Sequence, residues 1–421
     1  MAVTPWSQRS AELRVNGSAP ATGGPTGTDR RPSEEGRPIG LWGFTAFAVI
    51  SFGGPLAIAG LIAPGLLGDA SPSAGFAMLA AIVVFLIPLA IWLRYSQHIN
   101  TAGGLYGFVE AAAGRKVALL QAAIWIVSYV LYLVYTTIQI VFDLLPEVFP
   151  GVTRYQTTLG ILIPVALAGT VIAGRRPMLI AAGVMAGGQL ALGGVLDGVT
   201  LAHVSTPASS FGTAGAAGGD LTRASLQTSL LYICGSLPLF LGGEVKRPVQ
   251  TIRRGLTGAY VASAAVVVLA VAPLAAAPGL ARTDIPGVRV AEQFSGTTLA
   301  HVMGIGIAVS VAGVMLAEYV AMSRLVHAIT SWRLRPITIG IGLLIVAAAP
   351  LMLIDPDGFD DQLEKPSLAA LWLSQLIVFA VFPRFARKHG QRVLPAVLLA
   401  VGASAFALYG LYEVFNHTAA S

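Results

Sequence analysis

Charge is scarce in this chain. Only 11% of its 421 residues are Asp, Glu, Lys or Arg, against 55% hydrophobic ones, whereas a soluble domain carries about a quarter charged residues. That shortage excludes an ordinary water-soluble enzyme or binding module. Cysteine is nearly missing as well. Cys234 stands alone, so there is neither a disulfide framework nor a cysteine metal site. His98, His203, His389 and His417 fall in loops or tails, and His301 and His327 at opposite ends of one apolar run, which leaves no ligand cluster. Gly103-Gly104 suits a tight turn, but no Lys-Ser/Thr follows at phosphate-loop spacing. No cofactor is expected, and an ATP-driven process is excluded.

Long apolar runs are what the chain has in quantity. About 18 consecutive apolar residues mark a membrane-spanning helix, and eleven candidates reach or approach that length. They are Leu41–Leu67, Gly75–Leu93, Val117–Leu145, Tyr155–Ala173, Met178–Val199, Leu226–Gly243, Leu256–Ala277, Thr298–Leu325, Ile337–Ile354, Leu368–Phe385 and Leu394–Phe415. The fold class is therefore all-α and integral to a membrane. The third and eighth runs exceed what a bilayer requires and are expected to tilt. Residues 1–38, rich in Gly, Pro, Ser and Thr, read as a disordered tail and not a signal peptide.

The formal net charge of +6 is distributed as a topology signal. With a cytoplasmic N-terminus, all but Arg154, Arg223, Arg282, Arg289 and Lys365 of the 26 Lys and Arg residues fall on the inner side. Nucleic acid is thus not needed as a partner; the lipid bilayer is. Eleven spans put the C-terminus outside, with Asn416-His417-Thr418 a formal glycosylation sequon there. The location expected is the cell membrane.

Two runs are interrupted. Ser51-Phe52-Gly53-Gly54-Pro55 breaks the first, and Gly235-Ser236-Leu237-Pro238 falls in the middle of the sixth. Proline lacks the N–H an unbroken helix needs. In lipid, such breaks are tolerated only when buried or lining a cavity. Two broken spans at matching places in two halves point to a binding site for a small solute. Freed N–H groups suit an anion and freed carbonyls an ammonium, and an amino acid offers both charges at once. The candidate contacts are Ser51, Phe52, Gly53 and Gly54 from the first break and Ile233, Cys234, Gly235 and Ser236 from the second. The competing reading is a pair of kinks that serve packing alone. Gln189 in the fifth span, and Trp125 and Tyr129 in the third, are further candidates to reach or wall the cavity, or merely to pack.

Three motifs carry a family resemblance. Gly235 is followed nine residues later by Glu244-Val245-Lys246-Arg247-Pro248 and then Thr251-Ile252-Arg253-Arg254. Ala102-Gly103-Gly104-Leu105-Tyr106 with Gly114 opens the third span, and Ser323-Arg324-Leu325 with Ala328 closes the eighth. Together they resemble the amino acid–polyamine–organocation (APC) permeases over about Leu41 to Thr330. The resemblance implies the LeuT-type fold, two inverted five-helix repeats at about residues 39–200 and 221–386 within a core of 39–386. Residues 387–421 would be a peripheral last helix and a short outer end. It also implies secondary transport of an amino acid or amine by alternating access. Two departures stand out: Phe52 interrupts the small-residue cluster that usually cradles a carboxylate, and family members commonly have twelve spans.

Glu318 stands in the apolar run Gly313–Met322. A carboxylate inside a membrane is costly and marks function by default, here as carrier of a coupling proton. Its competing role is an ion pair with Arg324. Glu244, where the sixth span meets the cytoplasm, is expected to pair with inner Arg or Lys as a gate, or as a plain surface pair. A substrate sensor or channel on the same fold is the main alternative function, and a membrane-embedded enzyme a more distant one.

Overall fold

The computed structural model describes residues 38–416 apart from 69, 71–72, 205–207, 214–216, 276 and 353. The expected N-terminal tail and His417-Thr418 of the sequon lie outside the described residues. Ten helices among those described are long and apolar enough to cross a membrane. Numbered by position in the chain, spans 1 to 8 are Leu41–Gly68, Ala74–Ser96, Arg115–Val148, Pro150–Ile172, Arg175–His203, Gly218–Glu244, Pro248–Leu274 and Thr297–Thr330. Span 9 is the helix Leu334–Met352, whose described apolar stretch is the shorter Leu334–Ala348. Spans 10 and 11 are Gln362–Lys388 and Val393–Asn416. The outer surface carries Val83, Leu120, Val184, Leu343 and Leu398, all more than half exposed. Such a girdle suits hydrocarbon and would be a liability in water.

The two broken spans are central. In span 1 78% and in span 6 83% of the apolar window is buried, against 28% in spans 4 and 5. Burial inside protein is the condition under which irregular backbone survives at membrane depth. Span 1 is α-helical over Leu41–Ser51, turns at Phe52–Gly54, and restarts at Pro55. Gly53 and Gly54 hold φ of 73° and 66°, a region that costs a side chain strain and glycine almost nothing.

Span 6 breaks differently, and earlier than Gly235–Pro238. Its α-helix ends at Leu230, and Ile233–Glu244 then continues as a 3-10 helix that contains Pro238. The tighter winding needs no left-handed residue. Proline by itself marks no break here, since Pro88, Pro164, Pro273, Pro366 and Pro383 all lie inside continuous helices.

Two further helices occupy stretches that read as connections. Leu105–Ala113 is a separate helix, so the Ala102–Tyr106 motif precedes span 3 without opening it. Pro286–Ser295 is amphipathic, burying Val290 and Ala291 while exposing Arg289 and Glu292. Spans 3 and 10 are laced by polar contacts: Ser128 Oγ donates to Ser367 O at 2.8 Å, Ser367 Oγ to Ser128 O at 2.9 Å, and Gln121 Nε2 to Ser374 Oγ at 2.9 Å. Buried polar groups between helices need such partners.

Candidate functional site

A cavity of about 1030 Å³ runs from one end of the bundle down to both breaks. At its floor lie Gly53 of span 1 and Leu231, Ile233 and Cys234 of span 6. Tyr132 and Tyr135 of span 3, Val311 of span 8 and Trp372 of span 10 form its walls. Asp143, Glu147 and Asp284 line it as exposed carboxyls, Glu364 and Lys365 are half-buried, and Glu413 is buried in its wall.

Of the eight residues singled out at the breaks, the cavity wall takes Gly53, Ile233 and Cys234. The other five face protein. Ser51 Oγ donates to Phe47 O at 2.7 Å within its own helix. Phe52 turns into an aromatic cluster with Phe85 of span 2 and Tyr260 of span 7, at 6.2 and 5.4 Å between ring centres, and Tyr232 of span 6 joins them. Gly235 lies under the Phe52 ring, so a Cβ there would collide with it. Ser236 Oγ points toward Ile233 O at 3.4 Å and accepts from Gln375 Nε2 at 3.3 Å. Gly54 backs onto span 8, where Ser310 Oγ accepts from the Ala57 N–H at 3.2 Å and would sit 2.5 Å from a Cβ on Gly54.

Glu318 is fully buried and neither of its carboxylate oxygens has a hydrogen-bond partner. Its electrostatic neighbours are Tyr129, Tyr132 and Tyr135 of span 3 and Cys234 of span 6. Three of those four line the cavity, so the carboxylate stands just behind its wall. Spans 8 and 1 meet at Ser310, at Gly306 and Ile307, which lie against Leu56 and Gly60, and at Gly313, where a Cβ would meet Ile50 and the Gln189 amide at 3.2 and 3.0 Å. Gln189 is buried there with both polar atoms unpartnered. Trp125 and Tyr129 pack on one another at 4.0 Å between ring centres, while Tyr132 and Tyr135, one and two steps of three further along, reach the cavity. That i, i+3 tyrosine stripe was the available signal.

The opposite end is sealed. Arg324 does not pair with Glu318; its Nε donates to Glu244 Oε1 at 2.8 Å, and Arg175 Nη1 lies 3.6 Å from Glu244 Oε2. Beside them the chain just before span 1 pairs with the chain just after span 6. Ile39 N donates to Glu244 O and Lys246 N to Ile39 O, both at 2.8 Å. The Ala102–Tyr106 motif packs on the same spot. Gly104, at φ 48°, lies against the Phe240 ring, a Cβ on Gly103 would touch Ala328 at 3.3 Å, and one on Gly243 would meet Ala102 N at 3.2 Å. The three motifs that carry the family resemblance thus converge on one closed end and leave the cavity wall to other residues.

No family model matches the chain, and no curated protein matches it. Solved structures do. MhsT in complex with L-phenylalanine is 14% identical, over 89% of this chain and 97% of that one, with a TM-score of 0.62. A Na+-coupled sialic acid symporter in a substrate-bound outward-open state is 13% identical over 90% of each chain, at 0.57. The Eremococcus coleocola manganese transporter bound to an aromatic bis-isothiourea compound is 10% identical over 90% of this chain and 88% of that one, at 0.61. The chain has the LeuT-type fold, an all-helical membrane architecture of two inverted five-helix halves whose first and sixth helices are broken.

Proposed function

We propose that this chain is a secondary transporter that carries a small amine-bearing solute, an amino acid or related amine, across the cell membrane by alternating access. One observation carries the reading: the cavity reaches both helix breaks from one end while the other end is closed by charge pairs and backbone pairing. Alternating access asks for that asymmetry, whereas a channel needs both ends continuous at once. The sealed end gathers Arg175, Lys246, Arg324 and their neighbours, which makes it cytoplasmic by the positive-inside rule. The cavity then opens outward. The motifs at the sealed end support placing the chain among APC permeases, and the three structural neighbours named above are similar in fold to it.

Glu318 is the residue for a coupling proton. It is enclosed, has no hydrogen-bond partner for either oxygen, and stands behind the cavity wall near Tyr132 and Cys234. A carboxylate in such surroundings binds or releases a proton as the site is closed to one side or the other. Sodium coupling is the second reading, favoured by the Na+-coupled neighbour.

Proteoliposomes separate the two. Purified protein, screened by thermal shift against amino acids and amines, first supplies a ligand. Uptake of that ligand is then driven by a proton gradient alone or a sodium gradient alone. Glu318→Gln should keep binding and exchange yet lose at least tenfold in proton-driven accumulation. If the variant still concentrates the ligand under a proton gradient alone, Glu318 is not the coupling site.

A further inference from the structure

We infer that the Tyr132 hydroxyl passes the proton between the cavity and Glu318, as the last station of a polar stripe along span 3. This rests on the coupling role proposed for Glu318 and supplies its route. Glu318 is fully buried, and neither oxygen has a hydrogen-bond partner. The titratable groups that face it are Tyr129, Tyr132 and Tyr135 of span 3 and Cys234 of span 6. Spans 1, 4, 5 and 9 and the helix Pro286–Ser295 also pack on span 8, and among the described residues no cation from them acts on this carboxylate. A proton from water must therefore cross the cavity wall to arrive.

Two polar groups stand in that wall beside Glu318, the Cys234 thiol and the Tyr132 hydroxyl. A thiol donates and accepts weakly, while a phenol does both, and the thiol is already engaged: Tyr129 Oη donates to Cys234 Sγ at 4.0 Å. Tyr129, three residues nearer the sealed end, does not line the cavity. Tyr132 is half-buried, the most open of the three tyrosines. Outward from it, span 3 turns Tyr135, Gln139 and Asp143 to the same cavity. Steps of three, four and four residues keep all four on one face. The ring centres of Tyr132 and Tyr135 lie 4.9 Å apart, and Gln139–Leu144 is wound as a π-helix, a rare form frequent at functional sites. Asp143 is exposed, so the stripe begins in open water and ends at Glu318.

The transfer balances without any redox partner. A hydronium ion in the cavity gives a proton to the Tyr132 oxygen as that oxygen releases its own proton to a water beside Glu318. That water protonates the carboxylate, so one hydronium and one carboxylate become one water and one carboxylic acid, and the tyrosine ends neutral. A bridging water needs about two to four polar partners. The Glu318 oxygens, the Tyr132 hydroxyl and the Cys234 thiol supply them.

Infrared difference spectra of the full-length purified protein test this without transport. The protonated-carboxyl band present in the parent and missing in Glu318→Gln belongs to Glu318, and rapid mixing follows its growth after a drop in pH. Tyr132→Phe keeps the ring and removes the hydroxyl. Growth of the band should slow by about tenfold or more. The parent's slowing in D2O should also be lost in this variant, since entry then waits for the wall to open; a packing role alone would not change it. Tyr135→Phe should slow the band less than Tyr132→Phe does, because cavity water replaces a hydroxyl at an open position. The inference is overturned if the Glu318 band does not respond to pH or if Tyr132→Phe leaves its rate unchanged. It is overturned as well if Tyr135→Phe or Cys234→Ala slows the band more than Tyr132→Phe does. Vesicle uptake keeps the two claims apart. Proton-driven uptake in the parent with an unchanged band rate in Tyr132→Phe would leave the coupling and remove the route. A slowed band with no proton-driven uptake would leave the route and remove the coupling.

Discussion

The two ends of this molecule use charge in opposite ways. At the sealed end Glu244 stands between Arg324 and Arg175, so its charge is matched, and the surrounding backbone is paired as well. At the mouth the carboxyls of Asp143, Glu147 and Asp284 are exposed around an open cavity, and the walls stay apart. Matched charge holds elements together, and surplus charge of one sign keeps them open and draws counter-ions in. The same few residue types thus act as a lock at one end and a funnel at the other.

That contrast can be broken at the lock. Glu244→Gln leaves Arg324, whose side chain is 5% exposed, without its partner. Breaking a buried pair costs about 3–5 kcal/mol; with Glu244 22% exposed, about 2–3 kcal/mol is expected, an order of tenfold or more in the closed-to-open balance. The lone cysteine reports it, because Cys234 lies on the cavity floor. An impermeant maleimide should reach Cys234 only through the mouth in the parent protein. In Glu244→Gln, labelling from the basic end should rise at least tenfold; an unchanged rate would show that the ion pairs do not hold this end shut.

Arg324→Lys sharpens the comparison at smaller cost. Arginine here reaches Glu244 through Nε, Val320 O through one terminal nitrogen at 3.4 Å, and Met178 Sδ through the other at 4.0 Å. Lysine keeps the charge and loses the fork. An effect of about 1 kcal/mol, roughly fivefold in the same labelling rate, separates fork geometry from charge alone. A result equal to Glu244→Gln would mean that charge contributes little. The smallest effect belongs to the funnel. Glu147 is exposed at the rim, and Glu147→Gln should slow association of a cationic ligand found by the thermal-shift screen less than threefold, with the difference fading as salt rises. A change in dissociation rate instead would mean that Glu147 touches the bound solute.

The sequence showed the outline of this architecture, and did so through residues whose cost in lipid is high. Charge placement, the Gly53-Gly54-Pro55 interruption and the lone Glu318 are all exceptions to an apolar background, and exceptions can be read without a structure. The sixth span was harder. Pro238 suggested a break at Gly235–Pro238, yet the helix ends at Leu230, and its neighbour in space decides why Gly235 is glycine: the ring of Phe52 occupies the place of a side chain. Ser310 gave no signal at all, being one hydroxyl in an apolar helix whose partner, Ala57, is 253 residues away. Span 11 read as peripheral, but Glu413 accepts from Gln227 Nε2 at 2.8 Å and both line the cavity. Local periodicity tells which residues cross the membrane; only tertiary packing tells which of them meet.

The pairing of Ile39 with Glu244 and Lys246 also sets a timetable for synthesis. The partner strand is made about two hundred residues after Ile39, which at about 5–20 residues per second is roughly 10–40 s of elongation. Through that interval the inner end of the first span lacks its backbone partner. The fastening closes when the sixth span arrives, so the ribosome completes the first half of this protein before the Ile39 pairing can form.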